Sequence, residues 1–486
     1  MANEVFVGQI QETAVHGKES SFSTSRKNHD AVHVHTQHHH LRLKTGELRR
    51  MLFPREPAVL PRSGSWVMVR TLSQQHCSHS AARNSSAMCV GSITAQEGAA
   101  RDSFVAGQPR GQVTLKTLVI QLQVCGQGPA TTPEKLAAAL FEGEADSQPE
   151  TLQGMFSSCS YGNADFSRSA GCEVVSATVP IDCSGKTPWG APFDSLTCPY
   201  TEWSDVANDY VKHVLGINWE DFKYKVYVVP PGELCSWGGM GWVGCKSDCR
   251  AWISGDLWMF PTTWMHELGH NLYLNHAGSF QPLSSGGNSQ YIAYKDDSGA
   301  MGHCCSTRCF NAPHSFQLGW SKALDSLSKG NFAAGEWRSY VLPPRVGPSS
   351  KDVNLIRVSP DWDGPAAAYN FFLEYRKAAS YDAGLLPSVR DKVTLYSTPV
   401  GDSMPFTTLE VAVGQNQISH ESRIGSHLAI WVGSESAEGM RVNLCRPLSD
   451  HEISCSDGRD DDCDGFIDEE DSDCQARTTT SRKLLS

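Results

Sequence analysis

No part of the 486-residue sequence runs apolar for the ~18 residues that a bilayer-crossing helix requires, so no membrane span is read from it. Positive charge is also scarce. Lys and Arg total 41 against 53 Asp and Glu, a net charge of −12. That balance argues against a nucleic-acid partner, because phosphate binding needs a basic surface. Much of the acidity lies in one stretch, Asp457 to Asp473, and does not describe the whole surface. Residues 1–30 show no charged start followed by an apolar core, and the expectation is a natural start farther upstream. What the chain has in abundance is cysteine. Its 17 cysteines are scattered rather than set in CxxC pairs, which points to disulfides, an oxidising compartment and secretion. An apolar share of 40% suffices for a real core, and the length suggests about three domains.

Along the chain, residues 1–40 are polar and end in His38-His39-His40, which reads as a solvated tail. Short strands of a small β domain are expected over 41–70, and the Ser/Gln/Ala/Gly-rich stretch 73–112 reads as a linker. A larger domain opens with the β-branched run Thr117 to Val124, a strand. A helix follows from Pro133, with Thr132 as its N-cap. Further elements are expected as strands over 174–181 and 224–229 and a helix over 203–215. Strands alternating with helices indicate an α/β layer. Beyond Trp320 the helical signals fade, and 335–445 reads as successive strands, among them 369–374 and 427–432.

The segment Trp264-Met265-His266-Glu267-Leu268-Gly269-His270-Asn271-Leu272 carries the chemistry. Trp264, Leu268 and Leu272 recur every four residues and form one apolar helix face. His266 and His270 lie one turn apart on another face, where both imidazoles can hold one zinc ion. Glu267 projects beside them, placed to take a proton from water that the metal has acidified. His276 follows six residues after His270, and the chain over 271–275 can turn it back as a third ligand. Asp297-Ser298-Gly299-Ala300-Met301-Gly302 is a tight turn carrying a methionine, although Met301 taken alone reads as core filling. Gly238 to Gly244 lies upstream, where a substrate-binding edge strand would run. Tyr291 and Tyr294 are both candidates to stabilise a developing oxyanion. His303 is left out of the ligand set.

This constellation resembles the metzincins, whose pattern is HExxHxxGxxH followed by a methionine turn. The resemblance implies an α/β (α+β) zincin catalytic domain with His266, His270 and His276 on zinc, Glu267 as general base and Met301 in the turn. Cys125-Gly126-Gln127, Phe156 to Gly162, Val243-Gly244-Cys245, Cys249 to Ile253 and the segment His266 to Ala277 narrow it further. They are similar to the gametolysin family, peptidases that digest hydroxyproline-rich extracellular-matrix glycoproteins. The likeness covers roughly residues 115–445, and the 41–70 strands correspond more weakly to a propeptide. One position departs from the pattern: Tyr273 stands where metzincins have the Gly that releases the helix in a left-handed conformation. Tyr273 itself, Asn271 or Asn275 can take that role, at roughly 1–2 kcal/mol for a residue with a side chain.

Near the end, Asp460 to Asp471 matches a calcium loop position by position. Asp460, Asp462, Asp464, Asp468 and Asp471 fall at positions 1, 3, 5, 9 and 12, with Gly465 at the sharp turn. Asp at position 12 is shorter than the usual Glu, and no helices flank the loop. Cys455, Cys463 and Cys474 punctuate it, as in small extracellular Cys/Asp-rich modules. The expected organisation is a propeptide-like region (1–112), a zinc peptidase domain (113–330), a β-rich region (331–445), a Cys/Asp-rich calcium module (446–474) and a polar tail (475–486). The rival readings are a zincin with a downstream Glu as third ligand, and an inactive, calcium-binding matrix adhesin that keeps the fold. Glu267 weighs against the second.

Overall fold

The computed structural model describes residues 5–17, 38–43, 48–52, 66–71, 88–95, 110–144, 149–282, 289–302, 306–362, 369–400, 406–421 and 428–475. They divide into two compact units, residues 1–157 with 162–275, and residues 158–161 with 276–486. No helix among the described residues is long and apolar enough to cross a membrane.

The first unit is built on a mixed sheet. Its central strands are β2 (Thr117–Val124), β3 (Tyr224–Val228) and β5 (Cys249–Ile253), mutually parallel in the order β2-β3-β5. Nearly every residue of these strands is buried, because elements cover both faces of a parallel sheet. The antiparallel strand β4 (Trp237–Trp242) follows β5 in the order. Helix α1 (Pro133–Leu140) starts as expected, Thr132 Oγ1 accepting the Lys135 amide at 3.4 Å. Helix α2 runs Tyr200–His213, three residues earlier than its periodicity suggests. The expected strand over 174–181 is two short pieces, Glu173–Val174 and Val179–Ile181, each parallel to β2. A buried ionic cluster ties α2 to the sheet: Arg250 lies 2.7 Å from Asp205 and 3.2 Å from Asp248, and Asp248 is 2.6 Å from Lys225.

The N-terminal stretch departs from the sequence reading. Residues expected as a polar tail form β1 (Val5–Gly17) and the strand His38–Leu43, and Met88–Ala95 is a strand inside the expected linker. Strand pairing is non-local, so a short polar segment gives little warning that its backbone will complete a ladder. β1 pairs antiparallel with β4, setting Thr13 against Trp242, Ala14 against Gly241 and His16 against Gly239. It also pairs with His38–Leu43 and Trp66–Thr71.

The second unit is a β sandwich. A seven-stranded sheet orders Ser289–Ile292, Ala277–Pro282, Thr407–Val413, Lys392–Pro399, Tyr369–Arg376, Val353–Val358 and Lys322–Leu327. A four-stranded sheet orders Arg338–Leu342, Met440–Cys445, Leu428–Glu435 and Gln417–Glu421. Ile356, Phe371, Leu373 and Leu395 of the first sheet share one core with Leu342, Ile430, Val432 and Val442 of the second, as alternating inward residues of packed sheets do. Residues 446–475 are mostly irregular, with a 3-10 turn at Asp468–Glu470 and a helical turn at 472–475, and are closed by the disulfides Cys445–Cys463 and Cys455–Cys474. Four more disulfides join Cys125–Cys183, Cys159–Cys309, Cys198–Cys235 and Cys245–Cys249. Among the described cysteines only Cys172 is free, and it is buried.

Candidate metal centre

Helix α3 (Pro261–Asn271) starts with Pro261 in its first turn, where a missing N–H costs nothing. Trp264, Met265, Leu268 and Leu272 are fully buried, and the rest of the helix from Thr262 is buried with them. The His266 and His270 rings lie edge to face, their centroids 4.8 Å apart. His270 Nδ1 is 2.9 Å from the Leu274 carbonyl. A carbonyl only accepts, so that contact keeps the proton on Nδ1 and leaves Nε2 as the donor to a metal. Asn271 Nδ2 donates to the carbonyls of Trp242 (2.9 Å) and Arg250 (3.0 Å), locking the end of the helix to β4 and β5.

The glycines of β4 explain how this helix comes so close to the sheet. Gly239 and Gly241 share one face of the strand, while Met240 and Trp242 point into the core beneath. A β-carbon at position 239 would stand 2.8 Å from Glu267 Cδ and closer still to its carboxylate oxygen. At position 241 it would meet the Glu267 backbone carbonyl at 2.5 Å. Alternate glycines of this kind mark close approach of another backbone. Glu267 is therefore fully buried over bare strand, and neither carboxylate oxygen has a hydrogen-bond partner. Burial pushes its carboxyl well above the ordinary carboxylate range. A carboxylate in that setting is costly unless a cation compensates it.

Tyr273 takes the left-handed role itself, with φ of 70°. Its ring covers Gly244, where a β-carbon would lie 3.0 Å from Tyr273 Cζ and closer to the ring edge, and its hydroxyl donates to the Cys245 carbonyl at 3.2 Å. Leu274 and the residues after it then bring His276 round. In the continuous stretch His266–His276, one nitrogen from each of His266, His270 and His276 lies within 4.8 Å of the other two, and all three residues are buried. Three converging neutral imidazoles suit zinc in both ligand type and number, and a dication there supplies the charge that Glu267 lacks.

The segment after His276 is pinned by the turn that carries Met301. The Ala277 amide donates to the Met301 carbonyl at 2.9 Å, and Met301 is fully buried. Asp296, also buried, accepts from the Ser298 amide at 2.8 Å and from Asn311 Nδ2 at 2.9 Å. A β-carbon on Gly302 would collide with the Asp296 carbonyl, so the turn needs glycine there. Of the two tyrosine candidates, Tyr294 lies against His276, the rings tilted with centroids 4.0 Å apart, whereas Tyr291 donates to the Thr407 carbonyl at 3.4 Å. His303 lies outside the described residues.

The carboxylate loop gathers otherwise than its spacing suggests. Asp460, Asp462 and Asp464 each offer an oxygen within 4.8 Å of the others, as expected. Asp471 joins Asp462 and Glu452, a residue outside the loop pattern that sequence reasoning missed. Asp468 groups instead with Glu452 and Asp457, and it accepts from the amides of Asp457 (2.9 Å) and Gly458 (3.0 Å).

A helix carrying two imidazoles and a carboxylate, a third imidazole after a tight release and a glycine-bearing strand alongside define the metal-dependent peptidases as a class. The chain belongs to the gametolysin peptidase M11 family, whose profile matches residues 114–407. It is 26% identical over 473 residues to an autolysin of Chlamydomonas reinhardtii, covering 76% of this chain and 71% of the relative. No solved structure gives a match.

Proposed function

We propose that this peptidase is a secreted zinc endopeptidase, with His266, His270 and His276 as ligands and Glu267 as general base. The observation that carries the reading is the gathering of three buried imidazoles beside a buried carboxylate over Gly239. Zinc, when bound, supplies Lewis-acid polarisation of a peptide carbonyl and acidifies water. Glu267 accepts the proton of the attacking water and returns it to the departing amine. β4 offers backbone N–H and C=O groups on the side away from β5, the surface that an extended peptide pairs with. Tyr294, whose ring lies against His276, is the better of the two tyrosines for reaching a developing oxyanion.

The substrate reading is an extracellular-matrix or cell-wall glycoprotein rich in hydroxyproline. Family membership, the likeness to an autolysin and the six disulfides support it. The N-terminal region is read as a propeptide, since β1 takes the free edge of β4 in antiparallel register. Removing residues 1–112 by limited proteolysis is expected to raise turnover of a short peptide, and an unchanged rate would refute that role.

The deciding experiment is Glu267→Gln. Turnover is expected to fall by about 10²–10⁴-fold, the usual worth of a positioned base, with one zinc still bound per chain. Unchanged turnover at equal zinc content would exclude Glu267 as the base, whereas no turnover by the unaltered zinc-loaded chain would favour the inactive adhesin.

A further inference from the structure

We propose that the Cys/Asp-rich segment holds one calcium ion between Glu452, Asp462 and Asp471, with Asp468 taking no part. The first three residues each bring one oxygen within 4.8 Å of the others, and Asp462 is shared with the Asp460–Asp464 group.

Burial separates this cluster from an ordinary acidic surface. Glu452 is 0% exposed and Asp471 only 1%. Asp471 Oδ1 accepts from the Asp473 amide at 2.6 Å, but Oδ2 is buried with no hydrogen-bond partner. An acceptor withdrawn from water and left unmatched costs free energy that a bound cation recovers.

The remaining oxygens are spent on shaping the loop. Asp460 accepts from the amides of Asp464 (3.1 Å) and Gly465 (2.9 Å) and from Trp337 Nε1 (2.7 Å). Glu452 Oε2 accepts from the Asp461 amide at 2.9 Å, which draws the glutamate in from outside the loop. Asp468 also lies near oxygens of Glu452 and Asp457, but both its oxygens already hold the turn at 457–458. Position 12 of the loop is the short Asp471, and Glu452 supplies the carboxylate that a longer side chain there would have brought. The disulfides Cys445–Cys463 and Cys455–Cys474 hold these stretches of chain together. An all-oxygen shell with several carboxylates selects calcium over zinc, and its irregular arrangement suits calcium better than octahedral magnesium.

The test uses the full chain and terbium, a calcium-sized ion whose emission a nearby indole sensitises. Trp337, bonded to Asp460, is placed to do so. Sensitised emission should saturate, be displaced by calcium but not by equimolar magnesium, and disappear in Trp337→Phe. Glu452→Gln and Asp471→Asn should each weaken binding about tenfold or more, while Asp468→Asn stays within about threefold. Calcium should also raise the melting midpoint of the unaltered protein, a readout independent of any variant's folding. Absence of both sensitised emission and a calcium-dependent midpoint would overturn the site. Equal weakening by Asp468→Asn and Glu452→Gln would overturn the ligand assignment, and equal displacement by magnesium would overturn the choice of calcium.

Discussion

The histidine centre and the carboxylate loop both begin as short patterns of ligating residues, yet different forces hold them. Around α3 the ligands ride on a regular helix, every residue of which is buried from Thr262 to Asn271. Its position is set by bare glycine strand and by the two bonds of Asn271. Around Asp460 there is no regular element longer than a turn. Disulfides and carboxylate-to-amide bonds set the path, and a residue eight positions before the loop enters the cluster. A ligand pattern transfers from sequence to space only as faithfully as the scaffold that carries it.

The sharpest way to break that comparison is to remove the one imidazole that leaves the helix. His276→Ala is expected to lower zinc affinity by at least about 100-fold, beyond the 10–100-fold typical of losing an outer partner of a ligand. Peptide hydrolysis should vanish with the metal, measured by metal analysis after dialysis against a graded zinc buffer. Retained zinc in His276→Ala, with loss in a variant of a downstream Glu, would favour the zincin type with a carboxylate third ligand.

How much was legible follows from the same contrast. His266, Glu267 and His270 could be placed at once, because the i, i+4 rise of a helix is a local rule. The turn through Tyr273 was visible as an alternative among three residues, and the structure assigns the left-handed conformation to Tyr273 itself. The meaning of Gly239 and Gly241 was hidden, because their partner lies in another element far along the chain. β1 was missed for that reason too: its pairing with β4 depends on the partner more than on its own residues. Asp468 gathers with Glu452 and Asp457 and not with Asp460, Asp462 and Asp464, a placement that the loop spacing does not announce, and Glu452 carried no signal at all.

A smaller effect sharpens the account of β4. In Gly239→Ala the new methyl meets the end of a side chain, which can swing away, whereas in Gly241→Ala it meets backbone, which cannot. The first variant should therefore fold normally with zinc bound and lose about 100-fold in kcat/KM, as a ~1 Å displacement of a reacting group costs. The second should lose about 1–3 kcal/mol of stability from overpacking, read as a lower denaturant midpoint at unchanged slope. Equal behaviour of the two variants would mean that the strand yields at both positions and does not position Glu267.

The smallest expected effect concerns Tyr273, where conformational strain and packing oppose each other. Tyr273→Gly relieves about 1–2 kcal/mol of left-handed strain. Against that, glycine adds roughly 0.5–1 kcal/mol of unfolded-state entropy. The hydroxyl's bond to the Cys245 carbonyl is worth about 1 kcal/mol. The ring also covers Gly244 while only partly exposed, and losing that burial costs on the order of 1–2 kcal/mol. The losses exceed the gain, so a net destabilisation of about 2 kcal/mol is expected, a melting point lower by several degrees. Zinc affinity should change little, because glycine adopts the same backbone angles and His276 keeps its path. A variant with raised stability would show that strain outweighs the ring contact. A collapse of zinc binding in a well-folded variant would show that the Tyr273 ring, and not the backbone turn, steers the third imidazole.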